Sequence, residues 1–168
     1  MSERSSAPEA SSASEAVDLF GSVPAEVLET MFFTEAVRAG CAHEWLPEAV
    51  SIEVGFRGSH IGLMRMRVSW SAAESVASAF LGIEQRELTE ALVTGVSLEF
   101  GNILCGAILS RLWRESNVVL DPPKSSIDDS PATGLHRCFD LPEGKLAVWM
   151  DWAGRGRTIA LDPGTQHG

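Results

Sequence analysis

The most informative part of the chain for its fold is residues 88–113, with the sequence LTEALVTGVSLEFGNILCGAILSRLW. At 3.6 residues per turn its large apolar side chains fall on one broad face, which is the pattern of a helix packed on a core. We therefore predict one long core helix over this stretch. Its buried face contains Val93, Phe100, Leu104, Ile108 and Leu112, with Cys105 beside them.

The opposite side of this helix is small and polar. Glu99 and Asn102 are three residues apart, so their side chains are neighbours on the helix surface. Each glycine inside a helix costs about 1 kcal/mol relative to alanine, so a helix that keeps three of them needs a reason. Gly101 lies on the buried side, where close packing would explain it, whereas Gly95 and Gly106 flank Glu99, where the close approach of another molecule would.

Composition excludes several classes of function. The chain has 168 residues, a formal net charge of −10 and a pI of about 4.8, which argues against nucleic acid and anionic membranes as partners. The N-terminal sequence lacks an apolar signal core, so we expect a cytoplasmic protein with no membrane association.

Cys41, Cys105 and Cys138 form no close pair, which predicts free thiols. The four scattered histidines form no ligand pattern, so we expect no bound metal.

The order of predicted elements indicates an α+β fold. A helix from Ser22 and Pro24 to about Val37 precedes two alternating strands, a short helix and the long helix, and further strands follow. Short turns join the strand pairs, so we predict an antiparallel sheet with the helices packed on one face. The predicted strands are 50–57, 63–70, 117–120, 135–141, 145–152 and 157–161. The predicted organisation is a disordered tail over 1–18, one domain over 19–163 and a C-terminal tail over 164–168.

The chain contains a weak internal repeat. A helix followed by a strand pair occurs at 24–70 and again at 86–152, which predicts a pseudo-twofold sheet with two equivalent helices. When the two helices are aligned on sequence, Glu26 stands opposite Glu99, Glu29 opposite Asn102, and Phe33 opposite Gly106.

A carboxylate beside a carboxamide can pair with a partner's lysine and orient a water molecule. From the residues alone, a solvated helix face is the commoner explanation of such a pair. The neighbouring glycines and apolar side chains favour a docking surface instead. The residues that we expect to form this surface are Leu92, Gly95, Ile103, Gly106 and Ser110.

The run from Glu99 to Gly106, EFGNILCG, resembles the E-x-G-N-I-x-x-G helix motif of the CheC/CheX/FliY family of chemotaxis phosphatases. The resemblance extends over about residues 20–160. CheC-like members carry two such motifs, and CheX-like members carry one in the later helix. The first helix here has Glu29 and Phe33 at the aligned positions, so the resemblance is to CheX, with a single site.

The resemblance implies hydrolysis of the phosphoaspartate of a response-regulator receiver domain such as phospho-CheY. In that family the residue matching Glu99 pairs with the receiver's lysine, and the residue matching Asn102 orients the attacking water. Mg²⁺ is held by the receiver, so no cofactor is expected on this chain. The resemblance also implies a homodimer, for which Trp149 and Trp152 would offer apolar edge surface. The alternatives are a non-catalytic receiver-binding module and an oligomeric scaffold.

Overall fold

The computed structural model describes residues 9–41, 48–126 and 134–153. Over these ranges the chain forms three α-helices and one seven-stranded antiparallel sheet. The helices are α1 (Glu9–Met31), α2 (Trp70–Leu81) and α3 (Glu90–Leu112). The strands are β1 (Val37–Ala39), β2 (Ala49–Gly58), β3 (Gly62–Ser69), β4 (Val118–Leu120), β5 (Lys124–Ser125), β6 (Leu135–Leu141) and β7 (Gly144–Trp152).

The strand order shows the internal duplication. The sheet runs β1-β6-β7-β3-β2-β4, with β5 also paired to β2. The hairpins β2–β3 and β6–β7 therefore meet at the centre through β3 and β7. The strand that follows α1 pairs with β6, and the strand that follows α3 pairs with β2, so each helix is connected to the far hairpin. The predicted α+β class and its duplicated unit are confirmed.

The helices cover one face of this sheet. Alternate residues of β2, β3 and β7 are fully or almost fully buried, because successive side chains of a strand point to opposite faces. Gly101 allows α3 to approach the sheet closely, since a Cβ added there would lie 2.8 Å from Ile52 Cγ2. The predicted reason for this glycine, close packing on the core side, is therefore confirmed.

The long helix α3 matches its prediction closely. It begins after Thr89, whose hydroxyl accepts a hydrogen bond from the Leu92 N–H, as an N-cap residue does. The predicted core face is buried except for Leu112, which is half-buried. Within the described residues α3 is the one helix long and apolar enough to cross a membrane, but half of its apolar segment is buried inside the protein. It serves here as the central core helix.

The helix α1 differs from its prediction at both ends. It already begins at Glu9, with Pro24 inside it, so the predicted disordered tail is wrong for residues 9–18. Ala16 and Phe20 are fully buried, and their burial extends the packed part of the helix towards the N-terminus. The helix ends at Met31 rather than near Val37, which instead begins β1.

The end of α1 has an unusual backbone. Phe33 has a φ of 53°, the left-handed conformation that glycine usually adopts after a helix. The Thr34 N–H then donates to the Leu28 carbonyl at 3.0 Å, which closes the last turn. Among the described residues, Phe33 is the only non-glycine residue with a positive φ.

The prediction of three free thiols is wrong. Cys41 and Cys138 form a disulfide with Cα atoms 5.3 Å apart, although they are 97 residues apart in sequence. Strand pairing brings them together, since Ala39 of β1 lies opposite Cys138 of β6. Sequence spacing could not show this, because β1 was interpreted as the end of a helix. Cys105 is free and buried, as predicted.

The structural reason given for a dimer interface is also wrong. β7 lies between β3 and β6, so Trp149 and Trp152 are on a central strand and not at a sheet edge. The predicted strand over 157–161 and the C-terminal tail over 164–168 lie outside the described residues.

Candidate functional site

Glu99 and Asn102 lie on the side of α3 that faces away from the sheet. The Glu99 side chain is exposed, as predicted, whereas Asn102 is half-buried and therefore less open than expected. Neither side chain has a hydrogen-bond or ion-pair partner within the part of the chain that the structure describes. The carboxylate and the carboxamide are both available to another molecule.

The surface around this pair is open. A Cβ added to Gly95 would meet no atom within 4 Å, and one added to Gly106 would meet only Leu120 Cδ1, at 3.7 Å. Leu92 and Ser110 are exposed at the two ends of the stripe, and Ile103 is half-buried beside it. The predicted docking residues thus share one face of α3, and no packing within the described residues explains Gly95.

The buried side of α3 fixes the position of the pair. The ring of Phe100, next to Glu99 in sequence, packs edge-on against Phe32 of α1 with centroids 4.8 Å apart. Gly101, next to Asn102, lies against β2. Because α3 is packed firmly against α1 and β2, the spacing between the Glu99 and Asn102 side chains is fixed. Such a fixed spacing is what the positioning of a reactant requires.

Other reactive groups near the pair are not suited to catalysis. Burial raises the pKa of the Cys105 thiol to about 12, so it is not a nucleophile at neutral pH. Over residues 9–41, 48–126 and 134–153, no three His, Cys, Asp or Glu side chains are grouped so that they could hold a metal ion. The chemistry available on this face comes from Glu99 and Asn102.

The structure corrects the alignment of the two helices. α1 and α3 each contain 23 residues, and in both cases five residues separate the helix from its following strand. Aligned on their ends, Glu99 corresponds to Asp18 and Asn102 to Gly21, not to Glu26 and Glu29. The amino-acid sequence alone does not show this correspondence, because β1, which marks the true end of α1, is too short to be recognised from its pattern.

The corresponding face of α1 lacks the pair. Asp18 is an exposed carboxylate, but Gly21 has no side-chain amide, and a Cβ added there would lie 3.0 Å from Arg38 Cζ. The guanidinium of Arg38 therefore covers the position that corresponds to Asn102. The predicted single site is consistent with this arrangement, although the residues responsible are not those first aligned.

Glu26 has a structural role. The Arg111 guanidinium of α3 donates to both of its carboxylate oxygens, at 2.6 and 2.7 Å. These hydrogen bonds lower the pKa of Glu26 and raise that of Arg111. The pair joins α1 to the last turn of α3, so Glu26 is already occupied and is not free to bind a partner.

Comparison with known proteins identifies the family. The family model "Chemotaxis phosphatase CheX" matches residues 50–133, which is half of the chain and includes all of α3. The chain belongs to the CheX family of chemotaxis phosphatases. A search of curated protein sequences found no significant match.

Solved structures of CheX proteins share the fold. CheX of Vibrio vulnificus superposes with a TM-score of 0.63 at 21% identity, covering 82% of this chain and 99% of that one. CheX of Desulfovibrio desulfuricans gives 0.64 at 17% identity, covering 82% and 99%. The CheX–CheY–BeF3–Mg²⁺ complex of Borrelia burgdorferi gives 0.64 at 23% identity, covering 82% and 96%.

Proposed function

We propose that this protein hydrolyses the phosphoaspartate of a response-regulator receiver domain of the CheY type. Glu99 pairs with the receiver's active-site lysine, and Asn102 orients the water that attacks phosphorus. The observation that carries the proposal is the unpartnered Glu99–Asn102 pair on an open face of α3, inside the region that matches the CheX family. The structure of a CheX bound to CheY with BeF3 and Mg²⁺ supports the choice of partner.

The proposed reaction requires only a few groups from this chain. Phosphoryl transfer depends on positioning and on electrostatic stabilisation rather than on covalent chemistry by the protein. In this proposal the receiver supplies the phosphoryl group, the lysine and Mg²⁺. This chain contributes a fixed carboxamide for the water and a fixed carboxylate for docking. Holding the water in line converts a solvent encounter into an intramolecular step.

A hydrolysis assay tests the proposal directly. Isolated CheY-like receivers are phosphorylated with Mg²⁺ and acetyl phosphate, and their dephosphorylation is followed with and without the full chain. We expect at least one receiver to lose its phosphoryl group faster, with a rate that depends on Glu99 and Asn102. Tight binding to a BeF3-loaded receiver without any acceleration would instead identify a non-catalytic binding module.

Two further predictions accompany this function. A homodimer is expected from the family resemblance, and sedimentation at tens of micromolar, well above a ~1 μM dissociation constant, tests it. A cytoplasmic location is expected because the proposed substrate is an intracellular signalling domain. Fractionation of cells that express the full chain tests that location.

A further inference from the structure

Exposed apolar side chains at the ends of α1 and α2 form a second surface feature. Phe33 is 75% exposed and Met31 is 46% exposed at the end of α1, and Phe80 of α2 is 37% exposed. We call these three residues the apolar collar. Phe32 links them, because it follows Met31, precedes Phe33 and stacks on Phe80 with ring centroids 4.9 Å apart.

The apolar collar lies level with the candidate site. α1 and α3 run antiparallel, since Glu26 meets Arg111 whereas Phe32, six residues further along α1, meets Phe100. The end of α1 therefore stops beside the middle of α3, next to the turn that carries Glu99 and Asn102. The collar therefore lies at the level of the α3 turn that carries Glu99 and Asn102.

Phe33 combines an exposed aromatic ring with an unusual backbone conformation. A bulky residue in the left-handed conformation is unfavourable, and glycine would occupy the same position without that cost. Three-quarters of the residue's surface is left in solvent, so burial within the fold does little to offset the cost. Conformational outliers of this kind cluster at active sites and ligand-binding segments.

We propose that the apolar collar is a docking surface for the same receiver domain, and that Phe33 is a specificity-determining residue. This inference rests on the proposed function. The receiver is the occupant that the geometry favours, because Phe32, which joins the collar residues, contacts Phe100, the neighbour of Glu99 in the proposed receiver site. Aromatic side chains bury a large apolar area when a partner covers them and are enriched in interfaces, so Phe33 should contribute to receiver binding.

The substitution Phe33→Gly separates docking from folding. Glycine suits a φ of 53°, so the melting temperature should stay the same or rise. We expect KM for the phosphorylated receiver to rise about tenfold, while kcat stays within about twofold because the Glu99–Asn102 pair is intact. The matched control is Ile61→Ser, which removes an equally apolar side chain, 57% exposed, from the turn between β2 and β3.

The control residue lies well away from the collar. His60, the neighbour of Ile61, stacks on Trp113, so Ile61 is near the far end of α3. That end is about 20 Å from Glu99 at 1.5 Å per residue. Ile61→Ser should leave KM and kcat unchanged. An unchanged KM for Phe33→Gly, or an equal rise for Ile61→Ser, would overturn the proposal.

Binding measurements keep the two proposals distinct. Affinity for receivers loaded with BeF3 and Mg²⁺ is measured for the wild type and for Phe33→Gly. If the wild type binds but does not accelerate hydrolysis, the proposed function fails, yet a tenfold weaker Phe33→Gly still supports the collar. If Phe33→Gly instead abolishes self-association and leaves receiver binding unchanged, the collar is a contact between copies of this chain and the inference is wrong.

Discussion

The two long helices occupy equivalent places in a duplicated fold, yet only one presents a candidate site. On α3 the stripe around Glu99 and Asn102 is open, and its side chains are unpartnered within the described residues. On α1 the equivalent stripe has Gly21 in place of the asparagine, with the Arg38 guanidinium over it. The same backbone arrangement therefore presents an open candidate site on α3 and a surface covered by Arg38 on α1.

The difference arises from a few side chains and not from the architecture. Both helices bury matching apolar faces: Val23 and Val27 of α1 correspond to Leu104 and Ile108 of α3, and all four are buried. Both helices therefore bury an apolar face in the core. Only the outward face is free to diverge, because changes there leave the packing untouched.

The largest expected effect is that of Asn102→Ala. Removing the amide that orients water should lower the single-turnover rate of receiver dephosphorylation by about 10²–10³, by analogy with loss of an oxyanion-hole donor. Alanine favours helix, so the fold should not be weakened. Binding to a BeF3-loaded receiver should stay within a few-fold. A wild-type rate for this variant would refute the proposed mechanism.

The glycines of α3 test whether its two faces have different constraints. Gly101→Ala places a methyl group 2.8 Å from Ile52 Cγ2, and overpacking should lower the free energy of unfolding by about 1–2 kcal/mol. Gly95→Ala enters open space and should raise it by up to about 1 kcal/mol. Urea denaturation of both variants measures the difference. Shifts in the same direction would contradict the structure.

Glu99→Ala should affect binding as well as rate. Loss of the carboxylate that pairs with the receiver's lysine should weaken affinity about tenfold, roughly 1.4 kcal/mol, and the rate should fall with it. The matched control is Asp18→Ala, which removes the equivalent exposed carboxylate from α1. Equal losses of affinity in the two variants would mean that both helices dock receivers.

The smallest expected effect is that of Glu29→Ala. Glu29 is exposed on α1 and, when the helix ends are aligned, corresponds to Ser110 rather than to Asn102. Phosphatase activity should therefore stay within a few-fold of the wild type. A loss comparable to that of Asn102→Ala in the same assay would restore the alignment made on sequence alone.

Much of this fold could be predicted because its patterns are local. The period of α3, the alternation in β2 and β3, and the Gly82 cap of α2 each depend on neighbouring residues. The candidate pair could be found for the same reason, since Glu99 and Asn102 lie within one turn. The half-buried state of Asn102, and the lack of partners for both side chains within the described residues, required the structure.

What could not be predicted depends on contacts distant in sequence. β1 is three residues long, and pairing with β6 stabilises it, so its local sequence pattern alone predicts the end of a helix. The Cys41–Cys138 bond and the position of Arg38 over Gly21 follow from that pairing. The partnership of Glu26 with Arg111, 85 residues apart, was hidden for the same reason.

The disulfide also divides the chain into a covalent ring and two arms. Residues 41 to 138 close the ring, which contains α2, α3 and the hairpin β2–β3. The arms carry α1 on one side and β7 on the other, so the strand that joins the two halves of the sheet lies outside the ring. A single cut by a protease within the ring leaves one molecule, and its two pieces separate only when a reductant opens the bond and the fold is unfolded.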